Sequence, residues 1–216
     1  RLRPSGNKGP VAVSFETFRN YQMNEAWTWE RLAMTRARIL TAPSALGARV
    51  AGVIAECLTA GRDRAKILAD VADMRHRLDR ERPARSPWDL KEAKGGLFDI
   101  EFIAQGLQLV SAPQSDRVLQ TNTLDALAAL ERAQALSTED ARVLADSLIA
   151  FQNLIQILRL TVGEALASVE MSASLRSLIA ETVGLSSLEE VEAMLRVREA
   201  QVRARFERLI GGAPDS

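Results

Sequence analysis

The sequence predicts a mainly all-α protein, a helical bundle with a short β remnant at its N-terminal end. Three observations carry this. Leu, Ala, Glu and Arg dominate while aromatics are only 5%, a mixture that favours helix over sheet. Apolar residues from Ser14 onward recur at spacings of three and four, the period of a helix face. Pro and Gly gather in the first ten residues and at segments such as 83–96 and 211–212 that would separate or end helices.

Residues 1–13 are broken by Pro4, Gly6, Gly9 and Pro10, and Val11-Ala12-Val13 reads as a short strand. Three apolar residues cannot make a sheet alone, so this strand is expected to complete a sheet formed by other segments. Ser14 is expected to cap a helix over Phe15 to Met23, and Asn24 a second one from Glu25 to about Leu40, ended by Thr41-Ala42-Pro43. Further helices are expected at about 44–60, 64–82, 96–111, 122–136, 137–162, 173–183 and 187–210. Residues 83–95, with Pro83, Pro87 and Gly95, form a loop. In the 137–162 helix Ala141, Leu144, Leu148, Phe151, Ile155, Leu158 and Val162 form an a/d seam. In the last helix Leu188, Val191, Leu195, Val202, Phe206 and Leu209 do the same. Ser186 and Glu189 are expected to form its capping box. The corresponding domains are 1–22, the edge of a sheet domain; 23–211, the helical bundle; and 212–216, a disordered tail.

Composition narrows the function. Lys plus Arg and Asp plus Glu number 28 each, so no net basic field draws a nucleic acid. No apolar run approaches the roughly 20 residues of a membrane span. The sequence opens on Arg-Leu-Arg-Pro with no signal-peptide pattern, and a cytoplasmic location inside a longer protein is the expectation. Cys57 is the only cysteine, which excludes an internal disulfide; its neighbours Val53, Ile54 and Leu58 predict a buried thiol. His76, the only histidine, lies in a charged stretch and reads as a surface residue rather than a catalytic base.

Three segments stand out against a plain bundle. Arg1-Leu2-Arg3-Pro4-Ser5-Gly6 sets cations beside a glycine, which suits phosphate binding: guanidinium groups fork onto phosphate oxygens and glycine lets the backbone approach. A solvated loop has the same composition. Asn24 to Arg38 carries two of the three Trp residues and places Arg31, Arg36 and Arg38 on partly apolar helix faces. Arginines there call for an anionic partner, either a phosphate or an internal carboxylate such as Glu30. Gly95-Gly96-Leu97-Phe98-Asp99-Ile100-Glu101-Phe102-Ile103 opens a helix apolar on most sides, expected deep in the bundle, with Glu101, Gln105 and Gln108 as a polar stripe. Asp99 in its first turn suits the helix dipole. Asp99 and Glu101 either serve the bundle internally or face a cleft near a nucleotide.

In this order, Arg1-Leu2-Arg3-Pro4-Ser5-Gly6, Asn24-Glu25-Ala26-Trp27-Thr28-Trp29-Glu30, Arg36-Ala37-Arg38 and Gly95 to Ile103 resemble the glutamine synthetase adenylyltransferase/adenylyl-removing enzyme family, in its C-terminal, adenylylating half. The resemblance is strongest over residues 1–40 and 91–110. It implies an ATP-dependent nucleotidyltransferase that uses Mg²⁺ and transfers AMP to a tyrosine of glutamine synthetase, with the PII regulatory protein as a further partner. The metal-binding aspartates of the family are not in this sequence, so the chain alone is expected to be inactive and to hold neither a metal ligand nor a catalytic residue. Arg1, Arg3, Arg36 and Arg38 are the implied phosphate contacts, and Glu30, Asp99 and Glu101 the implied positioning residues. A fragment of the related PII uridylyltransferase, or a noncatalytic helical interaction domain, are the alternative readings. The single histidine and the ending are expected to argue against the first, since that family usually adds a histidine/aspartate hydrolase domain and ligand-sensing domains.

Overall fold

A computed structural model describes residues 10, 12–161 and 171–211. Among these the chain is helical, with no strand. Ala12 and Val13 are irregular, and Val11 lies outside the described residues. The mainly α expectation stands, and the β remnant does not show among the described residues.

The helices are α1 Phe15–Asn20, α2 Thr28–Met34, α3 Ser44–Thr59, α4 Arg64–Glu81, α5 Leu97–Ser111, α6 Thr123–Arg132, α7 Thr138–Thr161, α8 Ala173–Thr182 and α9 Leu188–Leu209. They sort into two compact units. The first comprises residues 1–71 and 104–136; the second comprises 72–103 and 137–216. Thus α4 and α5 each contribute residues to both.

In the first unit, Ser14 caps α1 as expected, its Oγ accepting from the Thr17 amide at 3.2 Å. The chain then widens into one π-helical turn over Tyr21–Glu25. The expected helix from 25 to 40 is much shorter. It starts at Thr28 because the Glu30 carboxylate accepts the Trp27 N–H at 2.9 Å, and Trp27 itself is extended. It stops at Met34 because the following amides tighten to carbonyls three residues back, Arg36 to Ala33 at 3.2 Å and Ala37 to Met34 at 3.0 Å. The Thr35 hydroxyl, donating to the Leu32 carbonyl at 2.7 Å, locks that turn.

The core of this unit includes Leu32, Val53, Cys57, Ile67, Val71, Leu107, Val118, Leu127 and Leu130. The Cys57 thiol is fully buried, as expected, and donates to the Gln22 carbonyl. From 102 to 110 every residue of α5 is buried, as its composition predicts. Gln108 in its polar stripe accepts the Gln120 amide at 2.8 Å. Helix α6 ends at Arg132 rather than running on to 136. Gln134 adopts φ of 58°, and the Ala135 amide turns back to the Leu130 carbonyl. This is a Schellman ending built without glycine, so nothing in the sequence marks it.

The second unit packs α7, α8 and α9 against one another. Helix α8 ends on a Schellman motif at Gly184, whose φ of +71° only glycine adopts freely. The cap of α9 is Ser187, one residue beyond the expected Ser186. Its hydroxyl accepts the Glu190 amide, and Glu190 accepts the Ser186 amide. The α9 seam is buried from Leu188 to Phe206, while Leu209 is half-buried. In α7 the seam residues Ala141, Leu144, Leu148, Phe151 and Leu158 are buried, and Ile155 departs from it, half-buried beside the fully buried Leu154. Val162 lies outside the described residues. Helix α7 is long and apolar enough to cross a membrane by length and composition. Its Leu144, Leu148, Phe151 and Leu154 are nevertheless buried inside the unit, the behaviour of a core helix.

Candidate functional site

Arg1 and Arg3 lie outside the described residues. Glu30, Arg36 and Arg38 belong to the first unit, Asp99 and Glu101 to the second.

Glu30 is 2% exposed. Its carboxylate accepts from the Tyr21 hydroxyl at 2.7 Å and from the Trp27 amide at 2.9 Å. No arginine pairs with it among the described residues, so the expected internal partner for Arg31, Arg36 and Arg38 is not Glu30. Arg36 and Arg38 are not on a helix face either. They follow α2 in irregular chain, where alternate residues face opposite ways. Thr35, Ala37 and Ile39 line an apolar cavity of about 260 Å³ with Ile54, Leu58 and Leu119, and Arg36 and Arg38, between them, are exposed. Trp27 and Trp29, on the preceding turn, are 71% and 46% exposed. This short stretch therefore presents two cations and two indoles to solvent.

In the second unit the glycine-rich segment is a structural knot. Asp99 is 0% exposed. One of its oxygens pairs with Arg75 Nε, while the other accepts the Gly95 amide at 2.8 Å and lies 3.4 Å from Arg203 Nη1. Arg75, 1% exposed, also pairs with Asp79 and donates to the carbonyls of Glu92 at 3.1 Å and Ala93 at 3.0 Å. Five donors on a planar fork are thus matched to four acceptors inside the unit. Gly95 has φ of +80°, and a Cβ there would sit 1.9 Å from the Glu199 carbonyl oxygen. Only glycine lets the loop pass α9 so closely. Asp99 was open to an internal or a cleft-facing reading; its burial and all its partners here are internal. Glu101 is half-buried.

Electrostatics follow this packing. Burial works against the charge on Arg203, but Glu207 and Asp99 outweigh it and raise its pKa. Burial likewise opposes the charge of Asp140; the Ser137 hydroxyl and Arg208, with Arg205, overcome it and hold its carboxyl below the usual range. Glu199 has no such help. One of its oxygens is buried without a partner, and burial pushes its carboxyl up. His76 is exposed, as expected. Among the described residues no three His, Cys, Asp or Glu side chains gather as a metal site.

Arg75 was missed by sequence reasoning, although a signal exists. It falls four residues beyond Val71 and eight beyond Ile67, both buried, on the apolar stripe of an otherwise charged helix. An arginine at such a position has a buried carboxylate to meet.

Comparison with known proteins agrees with the resemblance drawn from the motifs. Residues 1–53 match the family model for glutamate-ammonia ligase adenylyltransferase, and residues 64–210 that for GlnD PII-uridylyltransferase. Similar relatives are named bifunctional glutamine synthetase adenylyltransferase/adenylyl-removing enzyme. That of Rhodopseudomonas palustris (strain TIE-1) is 44% identical over 98% of this chain and 21% of its own length. That of Bradyrhizobium diazoefficiens is 42% identical with the same coverage, and that of Xanthobacter autotrophicus 39% identical over 100% of this chain and 22% of its own length. The chain therefore spans about a fifth of the length of the curated relatives it matches. Matched by that second model over about two thirds of its residues, the chain belongs to the GlnD PII-uridylyltransferase family, and the relatives that resemble it end to end carry the glutamine synthetase adenylyltransferase name.

Proposed function

We propose that the chain is the helical part of an ATP-dependent adenylyltransferase, one that transfers AMP from ATP to a tyrosine of glutamine synthetase. The observation that carries this is the identity of 42–44% along 98% of the chain to proteins bearing that name. The adenylyltransferase match over residues 1–53 supports it, because that segment contains the exposed Arg36 and Arg38.

In this reading Arg36 and Arg38, with Arg1 and Arg3, contact phosphate oxygens of the nucleotide. Glu30 is a positioning residue: by fixing the start of α2 it sets where the turn after Met34 presents the two arginines. Asp99 acts further back, holding the loop at Gly95 and the start of α5, which carries Glu101. Mg²⁺ and ATP serve the intact enzyme. Among the described residues no three acidic, His or Cys side chains gather as a metal site. Glutamine synthetase is the substrate, PII a regulatory partner, and the cytoplasm the location.

The test is AMP transfer from labelled ATP to glutamine synthetase by this chain extended upstream through the nucleotidyltransferase aspartates. Activity is expected in the extended protein. Arg36→Ala and Arg38→Ala are expected to lower turnover by about tenfold or more each, as loss of a charge-assisted phosphate contact does, a larger loss than any shift of the denaturation midpoint accounts for. Full turnover in both variants would remove the phosphate role. No transfer by the extended parent would leave a helical binding module instead.

A further inference from the structure

The apolar stripe of α9, in the second unit, has a gap. Leu188, Val191, Leu195, Val202 and Phe206 are buried along it. Between Leu195 and Val202 the helical period calls for one more apolar residue, and the sequence offers Arg198 and Glu199. Glu199 lies against the Gly95 loop. Arg198 meets α7 instead, at Ser147, a small polar residue that is itself 0% exposed. A seam that holds an arginine and a serine where two apolar chains would pack loses burial, and such breaks of pattern gather where function uses them.

Arg198 is held but not neutralised. Its Nε donates to the Met194 sulfur at 3.0 Å and its Nη1 to the Ser147 hydroxyl at 3.5 Å. A thioether is a weak acceptor and the second bond is long. Nη2 has no partner, and no carboxylate pairs with Arg198, among the described residues. The guanidinium lines two cavities. One, of about 380 Å³, is walled by Ile149, Ala150, Val183 and Leu185, with Asn153 and Thr182 as polar groups. The other, of about 450 Å³, includes Val143 and Val197. They share Asp146, Met194 and Arg198, and so run on from one another as a single trough. Asp146 is the one acid in it, and Arg142 engages it at 3.6 Å. Arg198 is thus the one uncompensated charge between largely apolar walls, in cavities within the range of about 300–1,000 Å³ that small ligands occupy.

We propose that this trough binds a small monocarboxylate with an aliphatic body. The free edge of Arg198 matches a carboxylate through two parallel N–H···O bonds, and the aliphatic chain lies on Ile149, Val183 and Leu185. A single uncompensated cation sets the charge of the ligand at minus one. The site does not rest on the adenylyl-transfer reading, since none of its residues has a role there.

The test is ligand-observed NMR titration of the 216-residue chain with hexanoate, with butyrate, and with hexanamide as the neutral isostere, at constant ionic strength near neutral pH. The parent is expected to bind hexanoate saturably. Butyrate should bind about two- to fourfold more weakly per missing methylene, and hexanamide about tenfold more weakly or worse. Arg198→Met places an apolar chain in the gap of the stripe; it should stay helical by circular dichroism and lose the preference for acid over amide. Arg196→Met removes an exposed cation two residues away that lines neither cavity, and should bind as the parent does. A parent that binds none of the three, binds the amide as tightly as the acid, or binds butyrate as tightly as hexanoate would overturn the proposal, whether or not Arg198→Met folds. So would a folded Arg198→Met that keeps the acid preference, or Arg196→Met losing as much as Arg198→Met.

Discussion

Asp99→Asn removes one negative charge from the interior of the second unit and leaves its shape nearly unchanged. Asp99 is 0% and Arg75 1% exposed, so water cannot take over the lost interaction. Arg75 keeps Asp79 and two backbone carbonyls, and the Asn carbonyl can still accept the Gly95 amide. Breaking a buried ion pair from one side costs about 3–5 kcal/mol, and the surviving partners put this case at the lower end, about 3 kcal/mol. Asp99→Ala also orphans the Gly95 amide, adding about 1 kcal/mol. With an m-value of about 2 kcal/mol/M in urea, the Asn variant should unfold about 1.5 M earlier. Trp88 is the one buried indole in this unit and the other two Trp residues belong to the first. Its fluorescence, in a Trp27→Phe, Trp29→Phe background, reports the relevant transition. The double variant Arg75→Met, Asp99→Leu should lose much less than the sum of its singles. A midpoint shift below about 0.5 M with an unchanged slope, under about 1 kcal/mol, would refute the view that this pair anchors the unit.

Other outcomes follow from the same geometry. Leu148→Ala and Leu154→Ala should each cost about 2–5 kcal/mol, as deletions from fully buried sites do, while the half-buried Ile155→Ala should cost less; equal midpoint shifts for Leu154 and Ile155 would contradict their unequal burial. Gly95→Ala should destabilise by about 1–3 kcal/mol from overpacking alone, with strain at positive φ added, and an unshifted denaturation curve would mean the loop can retreat from Glu199. The Glu199 carboxyl is raised from 4.5 in the folded state, so the folded form holds its proton more tightly. Stability from this group is present below pH 4.5 and is lost as pH rises through the folded pKa. Glu199→Gln should therefore be the more stable protein near neutral pH, with the advantage vanishing below the unfolded pKa; an advantage that persists in acid would refute this.

Much of the architecture was legible because it rests on local chemistry. The long helices α3, α4, α5, α7 and α9 have continuous apolar periodicity, and glycine at 184 marks an end that only one backbone conformation satisfies. What could not be read depended on contacts distant in sequence or on caps without a signature. The ending at Gln134 uses a residue that tolerates positive φ without advertising it. The turn after Met34 is set by Thr35, and the helical period misplaced Arg36 and Arg38 because that period had already stopped. The burial of Arg75 had a signal in its spacing from Ile67 and Val71 that went unread, and its pairing with Asp99 across 24 residues has no local signal at all. Of the candidate residues, Glu30 and Asp99 have internal partners that explain their burial, while Arg36 and Arg38 lie exposed.

The second unit is assembled from two separate stretches of chain, 72–103 and 137–216, and the Asp99–Arg203 contact joins residues 104 apart in sequence. A ribosome delivers Arg75 and Asp99 long before it delivers the residue that completes their cluster. Until α9 emerges, the Gly95 loop lacks the Glu199 backbone it passes so closely, and the apolar stripes of α7 and α8 lack a third wall. Closing so distant a contact is slow compared with forming the helices themselves. The interval between those events is when this unit is most open to misassociation, and a chain ending before α9 should remain in that condition, trapped by proteases or chaperones instead of reaching its fold.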